Sequence, residues 1–544
     1  MEFIFAVLSK NEKIKFEEVQ EAIATFQNFL AGRTYKTIVT PYGVFCGSEG
    51  EQRSVYEFAD SVMWRLSPYL SSPIKESVFL EKEYLTFRER ERLVRTDVNV
   101  HWSDDLVGGS AVESGDFFLQ GDDQGLIPLF FGETDRWVVL SSFPEVLTRH
   151  FTDLAEVNLF RVAEFLRYGF LTPGSTLFKN LKVLGPKETL KMCQGKLEIQ
   201  KRPQREDPIA ESSLSSVATR YLDHFSERLA LLLKGRTVEY ALLTGGSDTR
   251  LILAALTEEQ RRELQFVTFY DPIWSANRND VDIAVALAKK FNLRHEIRPH
   301  SRNNSYVEAI ESDLPLYSHT VNLPAKLCGT FGSETIGGAA FWLLPSRPWS
   351  GPHGVGSAEV IRKLFRRQVD ESFKELWSGN QNESGADDKA CSLPLPLRST
   401  ATAIYADVNA LPWQHPYQLR LSQKLLPFLG VKNLRLIQGA PEEYLRDYKI
   451  QKYLFLNVFP EYLEVPFQSR ITYEDERFLS LQWKGELVPY AEQAYEFLKN
   501  QWSQLPWWDG QVLLDEISQP ENIDLQIRLV TLMSILKKHK GHWL

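Results

Sequence analysis

Thr244, Ser247, Asp248 and Thr249 stand around the glycine pair Gly245-Gly246 in the stretch ALLTGGSDTRLILAAL, residues 241 to 256. Two glycines remove the side chains that would keep an anion from the backbone. The amides that open a helix have no intrahelical acceptor, so a turn of this composition can cradle phosphate. A tight strand-to-helix turn can also use glycines for its path and cap its helix with Thr, Ser or Asp while binding nothing. Local chemistry leaves both readings open.

Ala241 to Leu243, preceded by Val238, read as a buried strand, and Leu251, Ile252, Leu253, Ala255 and Leu256 as a helix packed on a sheet. The surrounding pattern predicts helices over 213–234 and 248–258, strands over 237–244 and 266–271, a helix over 280–292 capped by Asp280, and a third strand at HEIRPH. Alternating strands and helices imply a doubly wound parallel sheet, with its ligand site at the carboxyl ends of the strands. Before residue 200 the texture differs. Short apolar runs alternate with turns, as in FIFAVLS, TIVTPYGVFCG and KETLKMCQGKLEIQ, which is strand-rich. The polar, proline-containing piece 201–212 reads as a connector, which divides the chain into 1–205 and 206–544. The segment 380–399 reads as a surface loop, and 522–538 as one amphipathic helix.

With 544 residues, of which 43% are apolar, the chain can bury more than one core. A net charge of −9 argues against a general nucleic-acid surface. No run approaches the roughly 20 apolar residues that span a bilayer, and the N-terminal apolar stretch is too short for a signal peptide. A cytoplasmic protein without membrane or nucleic-acid partners is expected. Cys46, Cys193, Cys328 and Cys391 lack zinc spacing, and His539 with His542 is a weak metal signal.

TGGSDT at 244–249 resembles the pyrophosphate loop SGGxDS of the ATP pyrophosphatases, and its surroundings resemble the synthetase domain of the glutamine-type asparagine synthetase superfamily. Other blocks agree in order: 121–147 and 165–192 are similar to stretches of that family's amidotransferase domain, and 441–475 to its late block. The resemblance implies an α/β chain, with an N-terminal Ntn-hydrolase-like αββα sandwich. A doubly wound parallel-sheet ATP pyrophosphatase (PP-loop) domain with a helical C-terminal part would follow.

It also implies that Thr244, Gly245, Gly246, Ser247, Thr249 and Gly329 hold the phosphates of ATP, and that Asp248 and Glu334 hold Mg2+. Hard cations choose carboxylate oxygens and bridge phosphates. Thr268 would lie close to the nucleotide, whereas Phe266 and Phe269 suit either that site or plain core. Arg250 is read either as a phosphate contact or as an exposed guanidinium on the first helical turn. The turn LCGTFGSETIGG offers one acidic residue where the family has two, and a loop capped by Ser333 is its structural alternative. LLPSRPWSGPHG at 343–354 reads as a substrate loop. In the late block Arg470 occupies the place of a lysine that stabilises the adenylate. An arginine can neutralise phosphate charge but cannot exchange a proton near neutral pH. Lys449 is the substitute for that role, with a solvated helical lysine as the alternative.

Glutamine-using members expose a cysteine directly after the initiator methionine, and this chain begins Met1-Glu2-Phe3. A carboxylate cannot replace a thiolate nucleophile. The first half is therefore expected to be a scaffold without glutaminase activity, as in β-lactam synthetases, carbapenam synthetases and lasso-peptide cyclases. The expected function is a Mg-ATP-dependent ligase. It would adenylate a small-molecule or peptide carboxylate, release pyrophosphate and couple the acyl group to an amine, with ring closure as the most specific form. Intermolecular amidation of a small-molecule or sugar acid is one alternative, and a non-catalytic nucleotide- or partner-binding relative is another. A homodimer is left open.

Overall fold

The computed structural model describes residues 4–10, 13–29, 35–48, 55–58, 61–66, 107–112, 117–121, 129–168, 171, 174–185, 188–201, 213–233, 238–270, 275–299, 335–336, 424–425, 427–428, 431–445, 449–467, 495–496, 498–500, 510–517 and 523–538. In the first part, strands β1 (Ile4–Ser9), β2 (Tyr35–Thr40), β3 (Gly43–Ser48), β4 (Val55–Phe58), β5 (Ser61–Leu66), β6 (Val107–Val112), β7 (Phe117–Gln120), β8 (Phe130–Glu133), β9 (Trp137–Ser141), β10 (Leu181–Val183), β11 (Glu188–Cys193) and β12 (Lys196–Lys201) form two six-stranded sheets. Their orders are β10-β8-β9-β1-β3-β2 and β12-β11-β7-β6-β5-β4, with antiparallel neighbours throughout.

Strand β1 is buried along its whole length because both of its faces are covered. Ile4, Ala6 and Leu8 join Phe117, Leu119, Leu190 and Met192 of the other sheet in one core, so the two sheets pack face to face. Phe5 points the other way and stacks on Phe26 of helix α1 (Gln20–Phe29) at 5.7 Å. Phe26 in turn meets Phe143, which leads into α2 (Pro144–His150). Helix, sheet and sheet are thus in place. The second helical layer of an αββα sandwich is not placed by contacts among the described residues. The β11–β12 hairpin closes through Gln194 and Gly195, at φ 52° and 74°. This is the doubly left-handed turn that matches strand twist, and glycine adopts it without steric cost.

After α3 (Leu159–Tyr168) and α4 (Leu214–Leu233) the architecture changes. β13 (Tyr240–Leu242), β14 (Gln265–Tyr270), β15 (His295–Pro299), β16 (Thr335–Ile336) and β17 (Lys424–Leu425) form a wholly parallel sheet in the order β15-β14-β13-β16-β17. The chain runs outward from β13 on one side and returns to its other side at β16. The carboxyl end of β13 is therefore a topological switch point.

Helices α5 (Ser247–Ala255), α6 (Glu258–Glu263) and α7 (Ser275–Lys290) connect the first three of these strands in sequence. Thr257 and Gln260 form the capping box that starts α6, so the helix expected over 248–258 ends at Ala255. Further on come α8 (Val431–Gly439), α9 (Glu442–Leu445), α10 (Lys449–Asn457), α11 (Gly510–Ile517) and α12 (Ile523–Lys538). One expectation is corrected. α7 begins at Ser275, so Asp280 lies inside the helix and does not cap it. The described side chains of α12 are buried, Gln526 and Arg528 included.

Candidate functional site

Strand β13 delivers the chain into Thr244-Gly245-Gly246, and α5 starts at Ser247. Hydroxyls lock this turn from within. Thr249 Oγ1 accepts from Thr244 N–H at 3.1 Å, donates to Thr244 O at 3.3 Å and lies 3.0 Å from Thr244 Oγ1. Gly246 N–H donates to Thr244 Oγ1 at 3.2 Å, and Gly245 N–H donates to the Asp280 carboxylate. The two glycine amides, expected to face phosphate, are thus paired inside the protein. The amides opening α5 are different, since among the described residues no side chain caps them.

Gly246 is needed neither for backbone conformation nor for packing among the described residues. Its φ is −73° and ψ 165°, which any residue adopts, and a Cβ there would meet only Thr244 Oγ1 among the described atoms, at 3.4 Å. The uncapped amides and the missing side chain leave an approach to a helix N-terminus at the switch point, where anions bind favourably.

Two carboxylates flank the turn. Burial pushes the half-buried Asp248 up to about 7, against a hydrogen bond from Ser247 Oγ at 3.2 Å. Burial likewise raises Asp280 to about 6, outweighing the Gly245 N–H that favours its charged form. Buried Tyr221 of α4 is raised well above the ordinary phenol range, by burial first and then by the charge of Asp248. A carboxylate held this far above its ordinary range is stabilised by a nearby cation. Asp248 therefore suits a hard divalent metal in the chemistry of its donor atoms. No group of three or more His, Cys, Asp or Glu that could hold a metal gathers among the described residues.

Arg250 matches neither expected role. It is fully buried; Nη1 donates to Tyr462 O at 3.0 Å and Val465 O at 2.7 Å, Nη2 to Pro466 O at 2.7 Å, and the guanidinium lies 3.6 Å from the Phe467 ring centre. Burial lowers it to about 10. Thr268 is buried in the sheet rather than open to a nucleotide. Its hydroxyl donates to Leu243 O at 2.6 Å and lies 2.8 Å from His295 Nε2. Phe266 is core, and Phe269 is half-buried. Lys449 is exposed on the first turn of α10.

Gly329, Glu334 and Arg470, the stretches 343–354 and 380–399, and His539 with His542 lie outside the described residues. The structure thus gathers 244–249 at one strand end and turns Arg250 and Thr268 to internal contacts. Asp280 and Tyr221 were missed as neighbours of the turn. Neither carries a local signal, because Asp280 reaches Gly245 across 35 residues.

No protein-family model and no curated protein matches the chain. Two of the solved structures that are similar to it are enzymes. One is the allosteric regulatory enzyme of purine biosynthesis, at 9% identity over 55% of this chain and 80% of that chain, with a TM-score of 0.24. The other is the glutamine phosphoribosylpyrophosphate (PRPP) amidotransferase from B. subtilis complexed with ADP and GMP, at 8% identity over 62% of this chain and 74% of that chain, also with a TM-score of 0.24. Likenesses of that size leave the fold to rest on the strand orders themselves. Among the described residues, no helix is long and apolar enough to cross a membrane.

Proposed function

We propose that the chain is a Mg-ATP-dependent, AMP-forming carbon–nitrogen ligase, with an amidotransferase-like first half that serves as scaffold and a PP-loop second half that carries the chemistry. The observation that carries this reading is the uncapped start of α5 beneath Gly246, at the switch point of a parallel sheet. In the proposed reaction a substrate carboxylate oxygen attacks the α-phosphorus of ATP and pyrophosphate leaves. An amine then attacks the acyl carbon, AMP leaves, and the amine proton passes to a base. The amides of Ser247, Asp248 and Thr249 would hold the departing phosphates, with Thr244 and Thr249 keeping the turn in shape. Asp248 and Glu334 would hold Mg2+, which when bound neutralises phosphate charge and makes pyrophosphate a better leaving group. Arg470 would face the adenylate.

Ring closure to a lactam or macrolactam is the specific form of this proposal; a linear product would select intermolecular amidation instead. Glutaminase chemistry finds no support in Cys46, which is fully buried with its thiol raised by burial. A second reading, nucleotide binding without catalysis, is favoured by the turn LCGTFGSETIGG, which offers Glu334 as its single acidic residue.

The test is thermal unfolding of wild type and Asp248→Ala, with and without Mg-ATP, followed by pyrophosphate release with candidate amino-carboxylates. Saturation at about 100 times the dissociation constant stabilises the native state by roughly 2.7 kcal/mol. A magnesium-dependent shift that the variant loses is expected. Absence of any shift in wild type would overturn the nucleotide site, and a shift without pyrophosphate release would select the second reading.

A further inference from the structure

We infer that Arg250 is a positioning residue that couples the glycine turn to the segment 460–467, so that occupancy of the turn is transmitted to the late block. The inference rests on the reading that the turn binds nucleotide. Its geometry begins at Thr249, whose hydroxyl holds Thr244 from both its N–H and its carbonyl. The next residue, Arg250, sends one planar fork across the core to three carbonyls, those of Tyr462, Val465 and Pro466, and places its guanidinium carbon over the Phe467 ring. One turn further along α5, Leu253 O accepts from the Tyr462 hydroxyl at 3.4 Å.

The same segment is gripped from a second helix that also touches the turn. α7 accepts Gly245 N–H through Asp280, and near its other end Lys290 pairs with Glu464 at 2.5 Å. Phe291, just beyond α7, stacks on Tyr462 at 4.3 Å. About ten residues of helix, roughly 15 Å, separate these two contacts. Two helices that touch the turn, α5 through Arg250 and Leu253 and α7 through Lys290, therefore hold one short piece of chain, and a shift of either at the turn moves its grip on 460–467.

Arginine suits this role because a rigid guanidinium serves several acceptors at fixed angles and stacks on a ring. A lysine ammonium keeps the charge and loses the fork. Burial of the whole group makes the contact unforgiving, since each carbonyl left without its donor in the interior is destabilising. The chain continues from Phe467 towards Arg470, so the coupled segment is the one that leads to the residue proposed to face the adenylate.

The experiment is amide hydrogen exchange on the full chain, with Mg-ATP as probe, in wild type and Arg250→Lys. In wild type, Mg-ATP is expected to slow exchange at least fivefold in both 244–249 and 460–467. In the variant the response at 244–249 stays and that at 460–467 falls below twofold. A merely structural arginine would raise basal exchange in 460–467 but leave its response to Mg-ATP intact, and that result overturns the inference. A response at 244–249 alone in wild type overturns it as well. If wild type responds nowhere, the nucleotide reading fails, and the coupling with it. Should Arg250→Lys not fold, Phe467→Leu, which removes the stacking face and keeps apolar volume, is measured in its place against the same outcomes.

Discussion

Asp248 presents a free-energy conflict that a bound cation would resolve. In the folded chain burial holds its carboxyl at about 7, above the ordinary 3.8. Folding therefore favours the protonated acid. Its stabilising contribution is complete below the unfolded pKa and is lost as pH rises through the folded one, between about 4 and 7, in the unliganded protein. Asp280, raised to about 6, acts with the same sign. Asp248→Asn, neutral at every pH, is accordingly expected to be more stable than wild type at pH 8 by on the order of 2 kcal/mol without Mg2+, and nearly equal to it at pH 4. Denaturant unfolding at the two pH values measures this, and equal stabilities at pH 8 would refute the conflict. The residue types around the turn were legible in the sequence because a tight strand-to-helix turn has local requirements. The partners of Arg250 were not, since its carbonyls lie more than 200 residues away and backbone acceptors carry no residue signature.

At the scale of the element, strand β13, the glycine turn and α5 form one unit, and Gly246 separates its structural role from the binding role proposed for it. An added methyl group fits the backbone conformation and meets only a hydroxyl at 3.4 Å. Gly246→Ala is thus expected to leave stability unchanged or raise it by about 0.5 kcal/mol, through a less flexible unfolded chain. On the proposed nucleotide reading the same methyl group would crowd a phosphate approaching the amides of α5, so Mg-ATP affinity should fall about tenfold or more, roughly 1.4 kcal/mol. Calorimetric titration beside thermal unfolding reads both quantities. Loss of stability with unchanged affinity would mean that the glycine serves only the turn. Elements such as α4 and β14 followed from apolar periodicity, and the observed bounds fall within a residue or two of those expected. The start of α7 did not follow, because an aspartate ahead of an apolar helical pattern is an ordinary cap signal. Here a tertiary contact to Gly245 N–H claimed that carboxylate instead.

Across the whole molecule, the change of texture near residue 200 was visible because antiparallel sheets and βα units impose different apolar periods. How the end of the chain meets its beginning was not. Arg528 of α12 is buried and donates through Nη1 to Leu166 O at 2.7 Å, in the last turn of α3. The last carbonyls of a helix lack intrahelical donors. A guanidinium supplied by the far end of the chain thus caps a helix of the first half, and it does so amid Leu529, Val530, Leu532 and Met533, which are themselves buried. If this contact ties the two ends, Arg528→Met, close in length and without the donor, should cost roughly 1–3 kcal/mol by leaving Leu166 O short of a partner. The loss should appear as faster amide exchange in both 159–168 and 523–538, while the proposed response of 244–249 to Mg-ATP is retained, because the apolar core around that turn includes neither helix. Faster exchange confined to 523–538 would mean that α12 is only a passenger on α3. Faster exchange in all three regions would mean that the two cores unfold as one unit, with Arg528 holding the molecule together rather than capping a single helix.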